Sequence, residues 1–298
     1  MSDLTPDFLF FAMTKKLQCG QFSFALEGTE SAYPVVMGIL NITPDSFSDG
    51  GRYQGLEFAL THAETMIKDG AAMIDIGGES TRPGSPSVPL DEELRRVMPT
   101  LYALRTLDVA LSVDTCKPEV MREALIAGAD MINDINAFRA PGAIEAVQDS
   151  DCGLCIMHMQ ATPDTMQQAP RYDDVVGEVM AYLAERVAAM TAAGIERERI
   201  CVDPGFGFGK TVDHNYALLR GLPRMREELG LPVLAGMSRK SMIGAVTGRP
   251  VEQRVAGSIG AALAAVAHGA RIVRVHDVAE TVDAMKVWHA AMHPSSVL

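Results

Sequence analysis

Eight short apolar runs recur along this chain, and each is followed by a longer amphipathic stretch. The runs are Val35–Thr43, Met73–Gly78, Ala110–Thr115, Met131–Asn136, Gly153–Met159, Ile200–Gly205, Pro232–Met237 and Ile272–Asp277. They are rich in β-branched residues and bounded by Gly, Pro or polar residues, as strands of a parallel sheet covered on both faces are. Helices are predicted over 55–68, 91–105, 118–127, 141–149, 172–193, 213–229, 251–268 and 279–291. Pro118 stands where a first helical turn tolerates proline, and Gly128 stands where that helix should stop. Gly70, Gly194 and Gly269 also follow predicted helices, where a left-handed residue is wanted.

Eight strand-then-helix units predict an α/β fold of the (β/α)8 TIM-barrel type, a closed architecture that takes about 250 residues as one domain. A doubly wound open sheet is the alternative. The chain has 298 residues, 48% of them hydrophobic, which is enough for a substantial core. The barrel domain is expected over 17–298, with residues 1–16 as an N-terminal extension. Residues 17–26 are expected to add a short strand or hairpin at the barrel floor.

The formal net charge of −12 argues against partners such as nucleic acid or an anionic membrane surface. No stretch approaches the roughly 20 apolar residues that span a bilayer. The early run Phe8–Met13 is too short for a signal-peptide core, and its lysines follow it. Five cysteines at irregular spacing suit reduced thiols and a cytoplasmic location. Cys152 and Cys155 form a C-x-x-C, but the second pair of a zinc site is missing.

In parallel barrels the carboxyl ends of the strands carry the chemistry, and here those ends are polar. The first run ends in Asn41 and the second leads to Glu79, Ser80, Thr81 and Arg82. The third, fourth and sixth runs supply Asp114, Asn133 with Asp134, and Asp203. The seventh leads to Ser238-Arg239-Lys240-Ser241, and the eighth carries Arg274, His276 and Asp277. Alternation puts Arg274 and His276 on one side of their strand. The third, fourth and sixth runs thus form an acceptor side suited to a flat, donor-rich ligand edge. The seventh and eighth form a cationic side suited to phosphate or carboxylate.

Two familiar phosphate loops fail here on spacing. A Walker loop ending in Gly209-Lys210-Thr211 needs glycine at 204, which is Pro204, and a dinucleotide fingerprint from Gly205 needs glycine at 210, which is Lys210. The Gly-rich loop 203–211 is therefore expected either to turn tightly or to bring backbone and Phe208 close to a flat ligand. Loops 43–51 and 80–87 are expected to act as lids. His158 reads as a supporting or core residue, Lys210 as a loop or surface contact, and the other histidines as solvated. The methionines read mostly as core filler.

Eight motifs in order resemble the dihydropteroate synthase family of pterin-binding enzymes. They are MGILNITPDSFSDGG at 37–51, GGESTRPG at 77–84, SVDTCKPEV at 112–120, INDI at 132–135, MHMQ at 157–160, DPGFGFGKT at 203–211, GMSRKSMIG at 236–244 and RVHDV at 274–278. The resemblance implies a transferase of folate biosynthesis. It would condense (7,8-dihydropterin-6-yl)methyl diphosphate with 4-aminobenzoate, giving 7,8-dihydropteroate and diphosphate, with sulfonamides as inhibitors. It implies that Asp114, Asn133 and Asp203 bind the pterin with Lys240 beside the ring. Arg274, His276 and Asn41 would hold the diphosphate, with Mg2+ at Asn41. Phe47, Thr81, Arg82, Pro83 and Phe208 would wall in 4-aminobenzoate, Ser241 would receive its carboxylate, and Asp49 would support the metal or the developing cation. It also implies a homodimer through outer helices. Diphosphate held this way should leave by SN1-like cleavage, since an electron-rich pterin delocalises the resulting cation. The chain departs from some relatives at Cys116 and Asn136, neither of them a matched functional position. Two other readings compete: a methyltetrahydrofolate-type methyltransferase barrel, and an inactive pterin-binding paralogue.

Overall fold

The computed structural model describes residues 13–26, 33–42, 51–80, 85, 87–162 and 165–292. An antiparallel hairpin, β1 (Lys16–Cys19) and β2 (Phe22–Ala25), comes first. Eight parallel strands follow: β3 (Val35–Asn41), β4 (Met73–Gly77), β5 (Ala110–Asp114), β6 (Met131–Asp134), β7 (Gly153–Met157), β8 (Ile200–Asp203), β9 (Leu234–Ala235) and β10 (Ile272–Val275). From β3 to β8 each strand pairs with its neighbour in sequence, β3 also pairs with β10, and β10 pairs with β9. A parallel bridge from Val202 to Val233, with Val202 N–H donating to Pro232 O at 3.0 Å, brings the ends of the sheet together. The order never reverses, so the sheet curls into the barrel and the doubly wound alternative falls.

The helices are α1 (Gly51–Lys68), α2 (Leu90–Leu104), α3 (Pro118–Ile126), α4 (Ala143–Val147), α5 (Val175–Ala192), α6 (Val212–Leu229), α7 (Ser241–Thr247), α8 (Val255–Ala267) and α9 (Val278–Met292). Pro118 opens α3, and Gly70, Gly128, Gly194 and Gly269 are all left-handed just past their helices. One helix was not anticipated. α7 is a short turn of helix that Gly248 ends in a left-handed cap, and a 3-10 turn at Val251–Gln253 separates it from α8. Its sequence, SMIGAVT, carries a central glycine because the Arg254 guanidinium fills the space: a Cβ on Gly244 would lie 2.2 Å from it.

Alternation sorts the strands cleanly. Outward positions such as Ile74, Val113, Ile132, Leu154 and Val202 join the main core under the helices. The inward positions form a separate floor of Val35, Met37, Met73, Ala110, Met131, Cys155, Cys201, Leu234 and Ile272. The hairpin closes that floor with Leu17, Cys19 and Leu26, all buried. Cys19 seats against Gly153, where a Cβ would meet its Sγ at 2.5 Å. All five cysteines are free. Cys152 faces outward and Cys155 inward, so the C-x-x-C cannot chelate one ion. No helix among the described residues is long and apolar enough to cross a membrane.

Candidate active site

Above the apolar floor the barrel interior turns polar within one residue step per strand. Asp75 on β4, Ser112 and Asp114 on β5, Asn133 on β6 and Asp203 on β8 are all buried and face inward. Buried polar groups persist only when partnered, and these are. Asp75 accepts from Ser112 Oγ at 2.6 Å, from Asn133 Nδ2 at 3.1 Å and from Arg274 Nε at 2.6 Å. Arg274 Nη2 also donates to Asp114 Oδ2 at 3.0 Å. Burial opposes the Arg274 charge, but Asp75 and Asp114 outweigh it and raise its pKa. Burial pushes the Asp114 carboxyl up to about 7, Arg274 pulling the other way and Asp75 adding to the rise.

This geometry revises the expected separation into an acceptor side and a cationic side. Arg274 is long enough to reach across β3 into the acceptor cluster, so the two sides meet at its guanidinium. The hub of that cluster, Asp75, was missed. Its signal was legible: a lone carboxylate in the apolar run Met73-Ile74-Asp75-Ile76, at an inward position.

Lys240 comes from the other side. Its Nζ donates to Phe206 O at 2.5 Å and lies 4.6 Å from the centre of the Phe208 ring. Burial lowers its pKa to about 8, and the Asp203 carboxylate works against that. Asp203 accepts from Gly205 N–H at 2.7 Å, and burial raises its own pKa against the pull of Lys240. Two glycines keep the centre open. Gly77 faces Asn41 and Asp114, and a Cβ on Gly236 would stand 3.8 Å from Arg274, 3.8 Å from Asp203 and 3.9 Å from Lys240. A flat ligand at that point would lie against Arg274, Asp203 and Lys240. One wall beside it is apolar: Ile135, Met157, Met159, Met166 and Phe208 pack together with Cys116. Those methionines are buried in a small cluster of their own, apart from the main core.

The Gly-rich loop proves to be a close-approach loop. Gly205, Gly207 and Gly209 all have positive φ. Side chains there would meet His158 O at 1.9 Å, Lys240 Cδ at 3.1 Å and Gln160 O at 2.8 Å respectively. Lys210 is buried beneath it, against the surface alternative read from sequence. It donates to Phe208 O at 2.9 Å and lies 3.0 Å from His158 Nδ1. Burial lowers Lys210 to about 7 and His158 to about 3.

A model of the pterin binding enzyme family matches residues 37–276. The Escherichia coli dihydropteroate synthase is 51% identical over 262 residues, covering 88% of this chain and 93% of that one. The crystal structure of the Burkholderia cenocepacia dihydropteroate synthase complexed with 7,8-dihydropteroate has 55% identity and a TM-score of 0.84, covering 96% and 99% of the two chains. The Xanthomonas albilineans enzyme with 4-aminobenzoic acid has 52% identity and a TM-score of 0.86, covering 94% and 98%.

The chain belongs to the pterin-binding enzyme family.

Within that family its relatives are dihydropteroate synthases, and it is an enzyme of that kind. His276, one step above Arg274, contacts Ser238 Oγ through Nδ1 at 3.0 Å. Asn41 is exposed at the end of β3, and Ser241 is exposed at the start of α7. Asp134 faces away from the mouth and caps a turn, accepting from Asn136 N–H at 2.7 Å and Phe138 N–H at 2.6 Å. Glu79 pairs with Lys117, and Asp277 pairs with Arg239. His289 is buried against Tyr33 rather than solvated. Phe47, Asp49, Thr81, Arg82 and Pro83, and with them both expected lids, lie outside the described residues.

Proposed function

We propose that this enzyme breaks the C–O bond of (7,8-dihydropterin-6-yl)methyl diphosphate and forms a C–N bond to 4-aminobenzoate. Diphosphate, 7,8-dihydropteroate and the proton lost by the amine are the products. The observation that carries this reading is the buried inward cluster of Asp114, Asn133 and Asp203, with Arg274, Asp203 and Lys240 converging on the side-chain-free position at Gly236. A carboxylate facing the paired N–H groups of an amino-pyrimidinone forms charge-assisted bonds, the strongest neutral-ligand recognition available to it. Lys240 adds a donor beside the ring, and Phe208 with the methionine wall gives it an apolar face.

Arg274 has five N–H groups, and Asp75 and Asp114 each take one here. With His276 it supports binding of the diphosphate above the cluster. Asn41, exposed at the end of β3, offers Mg2+ a single neutral oxygen donor. Mg2+ demands few protein ligands and takes phosphate oxygens and water for the rest. When bound with the substrate it would neutralise charge on the departing diphosphate. Asp114 and Asp203 then hold the ring and stabilise positive charge at the methylene, which favours SN1-like departure. An arylamine is unprotonated near neutral pH, so the residues need to orient it rather than deprotonate it first. Phe208 supports a wall for 4-aminobenzoate, and Ser241 a donor for its carboxylate. Phe47, Thr81, Arg82, Pro83 and Asp49 complete the assignment from the two loops.

A homodimer through outer helices fits the exposed apolar Val246, Val251 and Val287 on the outside of the barrel. Five free thiols fit a cytoplasmic location. The deciding experiment is diphosphate release. It should depend on 4-aminobenzoate and be blocked by a sulfonamide competitively with it. Absence of release would favour a silent paralogue, and methyl transfer to a corrinoid would favour the methyltransferase reading. A burst of diphosphate with Mg2+ and pterin substrate alone supports the dissociative route, whereas strict dependence on the amine would favour an associative one.

A further inference from the structure

We infer that Lys210 is a positioning residue for this transfer: from behind the Gly-rich loop it sets the height of Phe206–Phe208 and, through them, of the Lys240 ammonium at the barrel mouth. This rests on the pterin reading of the site.

The two lysines grip the same loop from opposite faces. Lys240 reaches it from the ligand side, donating to Phe206 O at 2.5 Å with its Nζ over the Phe208 ring at 4.6 Å. Lys210 reaches it from behind, donating to Phe208 O at 2.9 Å and to His158 O at 3.4 Å. Its third contact is His158 Nδ1 at 3.0 Å. Lys210 is buried, and its Nζ is turned onto the loop backbone and His158. A buried ammonium is costly unless its donors are satisfied. Here three contacts bind the end of β7 to the loop after β8, so the charge sits where it joins two elements.

The surroundings are built to keep that joint closed. Gly205 lies against His158 O, so close that a side chain would start 1.9 Å from it and 3.4 Å from Lys210 Nζ. His158 is wedged by Tyr182 at 4.9 Å and Tyr172 at 6.0 Å between ring centres, and Tyr172 Oη donates to Gly209 O at 3.0 Å. Asn215 Oδ1 accepts from Gly207 N–H at 2.7 Å and Gln167 Nε2 donates to Gly207 O at 2.5 Å, so Lys210 is the tie on the loop that holds Phe208 O. Release would carry Phe206 O and Phe208 away from Lys240, leaving the mouth-side ammonium without its anchor.

Lys210→Met keeps the length and the apolar stem but removes the donors. Pterin affinity is measured by calorimetry with 6-hydroxymethylpterin, alongside steady-state kinetics and thermal unfolding, for wild type, Lys210→Met, Lys210→Arg and His158→Asn. The expected result is a fall in kcat/KM for the pterin diphosphate of roughly tenfold to hundredfold in Lys210→Met, the scale of a site group displaced by about an ångström. Pterin affinity should fall with it, and Lys210→Arg should recover most of both. His158→Asn removes one of three contacts and should give a smaller loss of the same kind. It serves as the test if Lys210→Met does not fold. Wild-type pterin affinity in Lys210→Met, or a lowered unfolding temperature with unchanged kcat/KM, would overturn the inference, as would an unaltered His158→Asn. If wild type itself binds no pterin, the reading of the site fails first and the positioning role with it.

Discussion

Arg274 Nε and Asp75 Oδ2 stand 2.6 Å apart in the middle of the barrel, joining β10 to β4 across the intervening β3. Asp75 has no exposed surface, and Ser112 and Asn133 also donate to it. One carboxylate thus orients an arginine, a hydroxyl and an amide.

Asp75→Ala should therefore act as removal of one partner from a buried ion pair. Stability should fall by about 3–5 kcal/mol, because the Arg274 charge stays buried with Asp114 as its one remaining hydrogen-bonded carboxylate. Urea unfolding measures this. A loss below about 1 kcal/mol would mean that water, not Asp75, solvates Arg274.

For Asp203→Asn the expectation is opposite in kind. The amide oxygen can still accept from Gly205 N–H, so the loop and the fold should survive. The carboxylate that should face the pterin is gone, so turnover and pterin affinity should collapse. Near-normal turnover in this variant would remove Asp203 from the site.

The pH dependence follows from Lys240 and Asp114. Lys240 loses its proton as pH rises through about 8, so pterin affinity should weaken above that. Asp114 gains one as pH falls through about 7, which gives the acid limb. For folding the sign of the lysine effect reverses. An unfolded lysine keeps its proton to about 10.4. Between the two values the unfolded state binds more protons, so the Lys240 contribution to stability rises with pH. Lys240→Met should abolish the alkaline limb of binding. Calorimetric titrations across this range would show whether the limb persists without the lysine.

Gly205→Ala and Gly248→Ala separate strain from crowding. Both positions are left-handed, at φ of 69° and 68°. At Gly248 a Cβ meets nothing within 4 Å, so alanine should cost only about 1–2 kcal/mol. At Gly205 it would overlap His158 O, so the loop must move. Thermal unfolding should show Gly205→Ala as clearly the more damaging, with activity lost as well. Equal effects would contradict the close seating of the loop on β7.

The order of elements was legible because it depends on local properties. A run such as Ile272–Asp277 is apolar and β-branched whatever surrounds it, and Gly128 ends a helix by its own φ. Inward and outward positions followed from the two-residue period, which put Asp114, Asn133, Asp203 and Arg274 on one interior surface. What a sequence cannot carry is the reach of a side chain across strands distant in the chain. That Arg274 meets Asp75, 199 positions away, depends on the curvature of the closed sheet. So does the burial of Lys210, which looked like a loop or surface lysine. The short β9 and the extra α7 were also set by tertiary packing. The backbone there must clear the mouth at Gly236 and admit Arg254 against Gly244. Sequence alone determined the eightfold alternation and the chemistry at the strand ends. The tertiary structure decided which of those groups touch, because distance and burial, not residue type, govern how charges pair.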